Sequence, residues 1–232
     1  GMKKDAENEG KDVTERVAEQ CRKIVGVLSK LKPCDRPCEP YLAVLSADGD
    51  RMGAILDNMK DAELHRCFSK KLADFASRAR DVIKGHYGVT VYTGGDDVLA
   101  FLPLDTALDC ARELRSEFGS IMSSVVPSGC RPTLSIGVSI AHALEDLELL
   151  LKFARRAESD AKNGLRGEAA VGRDRNGLAV AVRARGNIAV TVREQWPAAG
   201  ENDGREKSLA QLSLAERLDW WGDRFAGGEI PG

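Results

Sequence analysis

The stretch that most constrains this chain is Tyr92-Thr93-Gly94-Gly95-Asp96-Asp97-Val98-Leu99-Ala100-Phe101. Val89 to Tyr92 and Val98 to Leu102 are apolar and β-prone, with small or acidic residues between them. The segment therefore reads as a β-hairpin whose tight turn carries two adjacent carboxylates. Glycines at 94 and 95 allow backbone angles and close approaches that a side chain would forbid, so a phosphate or a metal-bound substrate can lie against the turn. Asp96 and Asp97 are hard oxygen donors, suited to Mg²⁺ or Mn²⁺ rather than zinc. Alone, Gly-Gly-Asp-Asp is also simply a good turn.

A second acidic strand end adds weight to the metal reading. Tyr41 to Ser46 forms an apolar run and leads into Ala47-Asp48-Gly49-Asp50-Arg51-Met52-Gly53. A two-metal site needs carboxylates from separate segments to offset two cations roughly 3.5–4 Å apart. A solvated loop explains one acidic pair more easily than two pairs that each close an apolar strand.

The remaining periodicities order these strands. Val13 to Leu31 has helical spacing, after a polar opening, and residues 32–40 form a Pro-rich connector. A long helix is expected from about Asp61 to His86, burying Leu64, Phe68, Leu72, Phe75, Ala79, Val82 and Ile83, and ended by Gly85 and Gly88. A helix from about Thr106 to Ser123 follows the acidic hairpin, then a turn-rich loop at Pro127–Pro132 and a strand from Thr133 to Ala141. Glu145 to Asn163 is a helix capped by Gly164. The order β-α-β-β-α-β plus a helix is the ferredoxin-like arrangement, an α+β fold. Gly177–Arg183 and Asn187–Val192 read as an added hairpin around Gly186-Asn187. Residues 197–207 are a polar linker, and Ser213-Leu214-Ala215-Glu216 is a capping-box start for a last helix with Trp220 and Trp221. The divisions expected are 1–40, an N-terminal helix and Pro/Cys linker; 41–195, the main α+β domain; and 196–232, a linker and C-terminal helix.

Bulk properties bound the function. With 232 residues there is room for one large domain and a sizeable core. A net charge of −2 and a pI near 6.0 give no global basic field, so any RNA contact must be local or made by partner subunits. No apolar stretch is long enough to span a bilayer and no secretory signal opens the chain, which points to the cytoplasm. Gly1 before Met2 reads as the scar of a cleaved tag. Cys21, Cys67 and Cys110 sit in helical patterns and read as buried thiols in a reducing compartment. Cys34 and Cys38, in a Pro-rich connector without a second Cys/His pair nearby, are assigned no zinc. His65, His86 and His142 are isolated, and none is followed by aspartate, so no nuclease is assigned.

The motifs together resemble a known family. Thr133-Leu134-Ser135-Ile136-Gly137-Val138-Ser139 is similar to the T-x-S-I-G-V strand of GGDEF-type nucleotidyl cyclases. Ala154, Ala157, Ala161 and Lys162 with Asn163-Gly164 resemble the end of that family's last helix. Asp-Asp in place of Asp-Glu-Phe, with Asp48-Gly49-Asp50-Arg51-Met52-Gly53 after the first strand, resembles the palm domain of the large subunit of type III CRISPR interference complexes, most like the III-B (Cmr) form. The resemblance runs from about residue 40 to 195. Full-length relatives carry further domains, so the chain is expected to be a fragment or a short member.

The resemblance implies a ferredoxin-like palm and a metal-dependent nucleotidyltransferase linking ATP into cyclic oligoadenylates. It implies two Mg²⁺ or Mn²⁺ ions held by Asp48, Asp96 and Asp97, with the Gly49 carbonyl as a backbone ligand. Asp50 is either a ligand or a residue that holds the loop through hydrogen bonds. Asp96 and Asp97 alternate sides along the chain; if only one reaches a metal, Asp96 is favoured. Gly94 and Gly95 admit the nucleotide, and Lys162 faces its triphosphate as a point charge, against the alternative of a solvated lysine in a last helical turn. Arg51 reads as a surface arginine. Implied partners are the other subunits of an RNA-guided complex, with CRISPR RNA and target RNA reached through it, and a second palm from another segment or a second copy. Alternatives are a GGDEF-like cyclase making a cyclic dinucleotide, against which Arg51-Met52-Gly53 replaces the usual Phe-Lys pair, a palm serving as a scaffold, and a fold with incidental acids.

Overall fold

The computed structural model describes residues 40–126, 132–164, 175–183, 190–196 and 213–226, with side chains up to residue 220 in the last segment. The expected helix over Val13–Leu31, the connector with Cys34 and Cys38, Cys21, Cys130, the Gly186-Asn187 turn, the 197–207 linker and the Trp221 side chain lie outside the described residues.

The elements are β1 (Tyr41–Gly49), α1 (Met52–Asp57), α2 (Ala62–Gly85), β2 (Val89–Gly94), β3 (Asp97–Leu102), α3 (Leu104–Met122), β4 (Leu134–His142), α4 (Leu147–Asn163), β5 (Gly177–Val182), β6 (Val190–Gln195) and α5 (Leu214–Ala226). Among the described residues one sheet runs in the order β2-β3-β1-β4-β5-β6. The four strands β2, β3, β1 and β4 pair antiparallel throughout, the ferredoxin-like order expected from the sequence. α4 then crosses over to place β5 parallel to β4, and β6 returns antiparallel along β5.

Strand alternation divides the core in two. Leu45, Ala47, Val98, Ala100, Ile136, Val138, Leu178 and Val180 face one way and meet Phe68, Phe75 and Ile83 of α2 and Leu114 and Phe118 of α3. Phe75 and Phe118 join the two helices edge to face, with centroids 4.9 Å apart. Burying side chains of this size stabilises the domain by about 1.5–3 kcal/mol each. The opposite face carries Val44 and Ala141 against Leu150 and Ala154 of α4. Here small residues meet small residues. A Cβ on Gly137 of β4 would come within 2.0 Å of the Glu158 backbone nitrogen, so only glycine lets α4 seat this closely.

Local capping signals hold at both ends of the domain. Asp61 accepts from the Glu63 N–H at 2.9 Å and Asp146 from the Glu148 N–H at 2.8 Å, opening α2 and α4. Gly164, with φ of 82°, closes α4. Glu216 accepts from the Ser213 N–H at 2.7 Å, the capping box expected of α5, which buries Leu214 and Ala215 in the main core.

Several expectations are corrected. Leu64 is 47% exposed and Cys67 is exposed, so the buried stripe of α2 starts at Phe68, and Leu72 is only half-buried. A 24-residue helix is about 36 Å long, whereas the six-residue strands beneath span about 20 Å, so the first turns of α2 overhang the sheet. β1 extends past Ser46 to Gly49 because Asp48 and Gly49 keep pairing with Ser135 and Leu134. α1 occupies residues read as loop, anchored by buried Met52. α3 begins at Leu104, directly after Pro103, and β6, described over Val190–Gln195, runs past the expected end at Val192. Each histidine has a structural partner: His65 the Met59 carbonyl, His86 the Glu113 carboxylate, and His142 the Tyr41 ring. No helix among the described residues is long and apolar enough to cross a membrane.

Candidate active site

The site is assembled where β1 and the β2–β3 hairpin end together. Alternation along β1 sends Leu45 and Ala47 to the main core and turns Ser46 and Asp48 to the α4 face. Asp97 opens β3 opposite Gly94, two residues before Leu99 on that same face. Gly95 takes φ of +67° at the first of the two central turn residues, the position where a type II′ hairpin demands glycine. Asp96 is the second, and its side chain lies against Gly49. A Cβ on Gly49 would stand 2.7 Å from Asp96 Oδ2, so this glycine makes room for the carboxylate. The hairpin and β1 thus bring Asp48, Asp96 and Asp97 to one place, and the adjacent acids of the turn both meet the end of β1.

The crowding shows in their proton affinities. A hydrogen bond with Asp48, followed by partial burial and the charges of Asp48, Asp96 and Glu158, pushes Asp97 up to about 7. Burial also raises Asp96; a backbone hydrogen bond opposes it, and the smaller effects of Asp48, raising, and Lys162, lowering, follow. Negative charge is concentrated here beyond what the protein neutralises.

Among the described residues, α4 supplies the cation in direct contact with Asp48. Lys162 Nζ bonds to Asp48 Oδ2 and lies 3.0 Å from Glu158 Oε1. Burial disfavours its ammonium, but the hydrogen bonds it donates to Asp48 and Glu158, with their charges, outweigh that cost and hold Lys162 above the ordinary lysine value. Ser46 Oγ donates to the other oxygen of Glu158 at 2.7 Å. Lys162 is therefore no solvated lysine of a last turn. Glu158 and Ser46 escaped the sequence reading. The available signals were a glutamate four residues before a lysine on one helix and a serine two before Asp48 on one strand face.

Asp50 stands apart from this group. It is 4% exposed and accepts from Thr133 Oγ1 and Ser135 Oγ, each at 2.7 Å, and from the Asn176 N–H at 2.8 Å. These bonds are those of the loop-holding role, one of the two the sequence left open, and they join the end of β1 to the starts of β4 and β5. The two turn glycines also differ. An added Cβ on Gly95 would stand at ordinary contact distance, 3.9 Å, from Leu72 Cδ1, whereas the Tyr92 hydroxyl fills the place a Gly94 Cβ would take, at 1.9 Å. Arg51 is exposed, in left-handed conformation before α1.

Among the described residues no group of three or more His, Cys, Asp or Glu side chains already has metal-binding spacing. The donor set nevertheless fits a hard divalent cation: three oxygen acids from two strand ends, two of them, Asp96 and Asp97, with raised proton affinity. Beside Asp97, a cavity of about 330 Å³ is lined by Ser46, Tyr92, Asp97, Leu99, Arg155 and Glu158, among others.

A family model described as Cas10/Cmr2, second palm domain, matches residues 41–171. The CRISPR system Cmr subunit Cmr2 of Pyrococcus furiosus is 34% identical over 143 residues, covering 50% of this chain and 16% of that protein, so this chain spans only a small part of that relative. A type III-B Cmr-beta structure in its apo state aligns with TM-score 0.45 and 16% identity over 66% of this chain and 27% of that one. The guanylyl cyclase Cya2 aligns with TM-score 0.44 and 14% identity over 65% of this chain and 89% of that one.

Proposed function

The chain belongs to the Cas10/Cmr2 second palm domain family, and from that premise we propose that it is a nucleotidyl cyclase of a type III CRISPR complex, linking ATP into cyclic oligoadenylate. The observation that carries the reading is the meeting of Asp48, Asp96 and Asp97 beside Lys162 where the interior strands β1 and β3 meet at their ends. Bound Mg²⁺ or Mn²⁺ ions supply polarisation of the α-phosphate and a more acidic attacking 3′-hydroxyl. The three aspartates are the residues that would hold them, with the Gly49 carbonyl beside Asp96. The glycine turn would let the phosphates approach, and Lys162, beside Asp48, would face them as a point charge. In the transfer, the 3′-oxygen of one nucleotide bonds to the α-phosphorus of another. Pyrophosphate leaves with the electron pair of the broken bond, and the hydroxyl proton passes to solvent. The protein's share is positioning and charge stabilisation.

Two nucleotides must meet, so a second palm is part of the proposal, from further sequence of a full-length subunit or from a second copy. Other subunits and CRISPR and target RNA belong to the same proposal, with the complex in the cytoplasm. One observation favours a second reading, a palm used as scaffold: Lys162 already neutralises Asp48. Incubation with labelled ATP and, separately, GTP, with Mg²⁺ or Mn²⁺, tests both readings beside an Asp96→Ala/Asp97→Ala control. Cyclic adenylates that vanish in the control support the cyclase. Absence of product together with absence of metal-dependent ATP binding by calorimetry overturns it in favour of the scaffold.

A further inference from the structure

We propose that Glu158, held by Ser46, is a positioning residue for Lys162: it retains the ammonium when Asp48 turns to a divalent cation, and so frees the lysine for the phosphates of the nucleotide. The inference rests on the metal-nucleotide reading above and adds how this lysine serves it. That reading asks two things of one ammonium. Lys162 Nζ bonds to Asp48, one of the three aspartates that would hold the cations, yet it is also the charge that would face the triphosphate. An ammonium and a divalent cation at one carboxylate repel each other strongly, so the lysine has to leave Asp48.

Glu158 and Ser46 supply the second station. Glu158 stands one turn before Lys162 on α4, and its Oε1 lies 3.0 Å from Nζ, so the two share one face of the helix. Its other oxygen accepts from Ser46 Oγ at 2.7 Å. Ser46 is 6% exposed and sits two residues before Asp48 on β1, on the same face of the strand and about 6.6 Å along it. The carboxylate is thereby fixed from both sides, with Lys162 on one oxygen and β1 on the other. Both oxygens of Glu158 are engaged, which sets it apart from the aspartates offered to the cations. The ammonium has three donors on a flexible stem. A small turn lets it give up Asp48, keep Glu158 and offer its remaining hydrogens to phosphate oxygens. Without Glu158, the lysine is left with Asp48 among the described carboxylates, and it competes there with the cation.

The test is a cycle of Glu158→Gln and Lys162→Met in the whole chain. Mn²⁺ binding is followed by electron paramagnetic resonance, and calorimetry follows Mg²⁺·α,β-methylene ATP, which cannot release pyrophosphate. With Lys162 present, Glu158→Gln should weaken the Mg²⁺·nucleotide about tenfold. In the Lys162→Met background the loss should shrink to about threefold or less, the effect of one missing charge. Ser46→Ala alters no charge, and should weaken the nucleotide about threefold with Lys162 present and not at all in Lys162→Met. The ammonium also reports directly in proton–nitrogen spectra of the lysine side chains. Saturating Mg²⁺ should shift the Lys162 signal of the parent while it stays protected from exchange with water, and that protection should be lost in Glu158→Gln. Equal losses for Glu158→Gln in both backgrounds would show that Glu158 acts on the cation itself and overturn the proposal, as would a Lys162 signal that Mg²⁺ leaves unmoved. A parent chain that binds no Mn²⁺ sinks the metal-nucleotide reading and this inference with it. Mn²⁺ and nucleotide binding that is lost in Asp48→Asn but indifferent to Glu158→Gln and Ser46→Ala sinks the inference alone.

Discussion

Glu158 Oε1 lies 3.0 Å from Lys162 Nζ, and the same ammonium touches Asp48, so one cation is shared by carboxylates from α4 and from β1. The three side chains are largely buried, so neither carboxylate is well screened. Lys162→Ala should destabilise the metal-free protein by about 1–2 kcal/mol, less than a fully buried pair would lose, because water still reaches the site. Divalent cation should restore part of the loss by taking the ammonium's place at Asp48. Urea unfolding with EDTA and with Mg²⁺ measures both. A deficit equal in the two conditions would mean that no cation reaches Asp48.

The raised proton affinity of Asp97 gives a pH dependence with a defined sign. Its folded-state value, about 7, lies above the ordinary aspartate value near 3.9, so the folded state holds the proton more tightly. The stabilisation this brings is complete below about pH 4 and is lost as pH rises through about 7. The metal-free chain should therefore lose thermal stability between pH 5 and pH 8 relative to Asp97→Asn, in which that proton is absent. Cation should abolish the difference at pH 8. Melting curves of both proteins across this range check it, and parallel pH profiles would show that Asp97 carries no such proton.

Much of this was legible in the sequence because it rests on local chemistry. The Gly-Gly-Asp-Asp turn, the apolar runs around it and the capping residues Asp61, Gly164 and Ser213 each act within a few residues. What was not legible depends on partners far apart in the chain. Glu158 is an ordinary helical glutamate until the fold brings Ser46 to it across 112 residues. Cys67 and Leu64 match a buried periodicity, but how far α2 overhangs is set by the length of the strands beneath it. The roles of Asp48 and Asp50 diverge only when the pairing of β1 with β4 decides which acid meets Ser135.

Gly137 couples the fold to the site. With the Glu158 nitrogen 2.0 Å and the Ala157 carbonyl carbon 2.4 Å from an added Cβ, Gly137→Ala has to push α4 away from β4. Overpacking of this kind costs roughly 1–3 kcal/mol, and here it also moves Glu158 off Ser46 and Lys162 off Asp48. Gly137→Ala should remain folded by circular dichroism, with reduced stability, and bind Mg²⁺·ATP at least tenfold more weakly. Stability lost without weaker nucleotide binding would uncouple the seat of α4 from the position of Lys162.

Asp50 allows its two roles to be told apart. Its carboxylate receives Thr133 Oγ1, Ser135 Oγ and the Asn176 N–H, and it is buried, so Asp50→Ala strands three donors. Buried unsatisfied groups cost about 1–3 kcal/mol each, enough to threaten a domain of ordinary stability. Asp50→Asn differs: its carbonyl oxygen can still accept from Thr133 and Asn176, while its amide donates to the Ser135 hydroxyl, which rotates to receive it. A hydrogen-bonding Asp50 therefore predicts a small stability loss for Asp50→Asn, a large one for Asp50→Ala, and Mn²⁺ affinity within threefold of the parent for Asp50→Asn. A metal-ligating Asp50 requires that affinity to fall tenfold or more, because the amide cannot replace a charged donor to a hard cation. Titration of Mn²⁺ followed by electron paramagnetic resonance separates the two, and the parallel effect of Asp48→Asn sets the scale of a lost ligand.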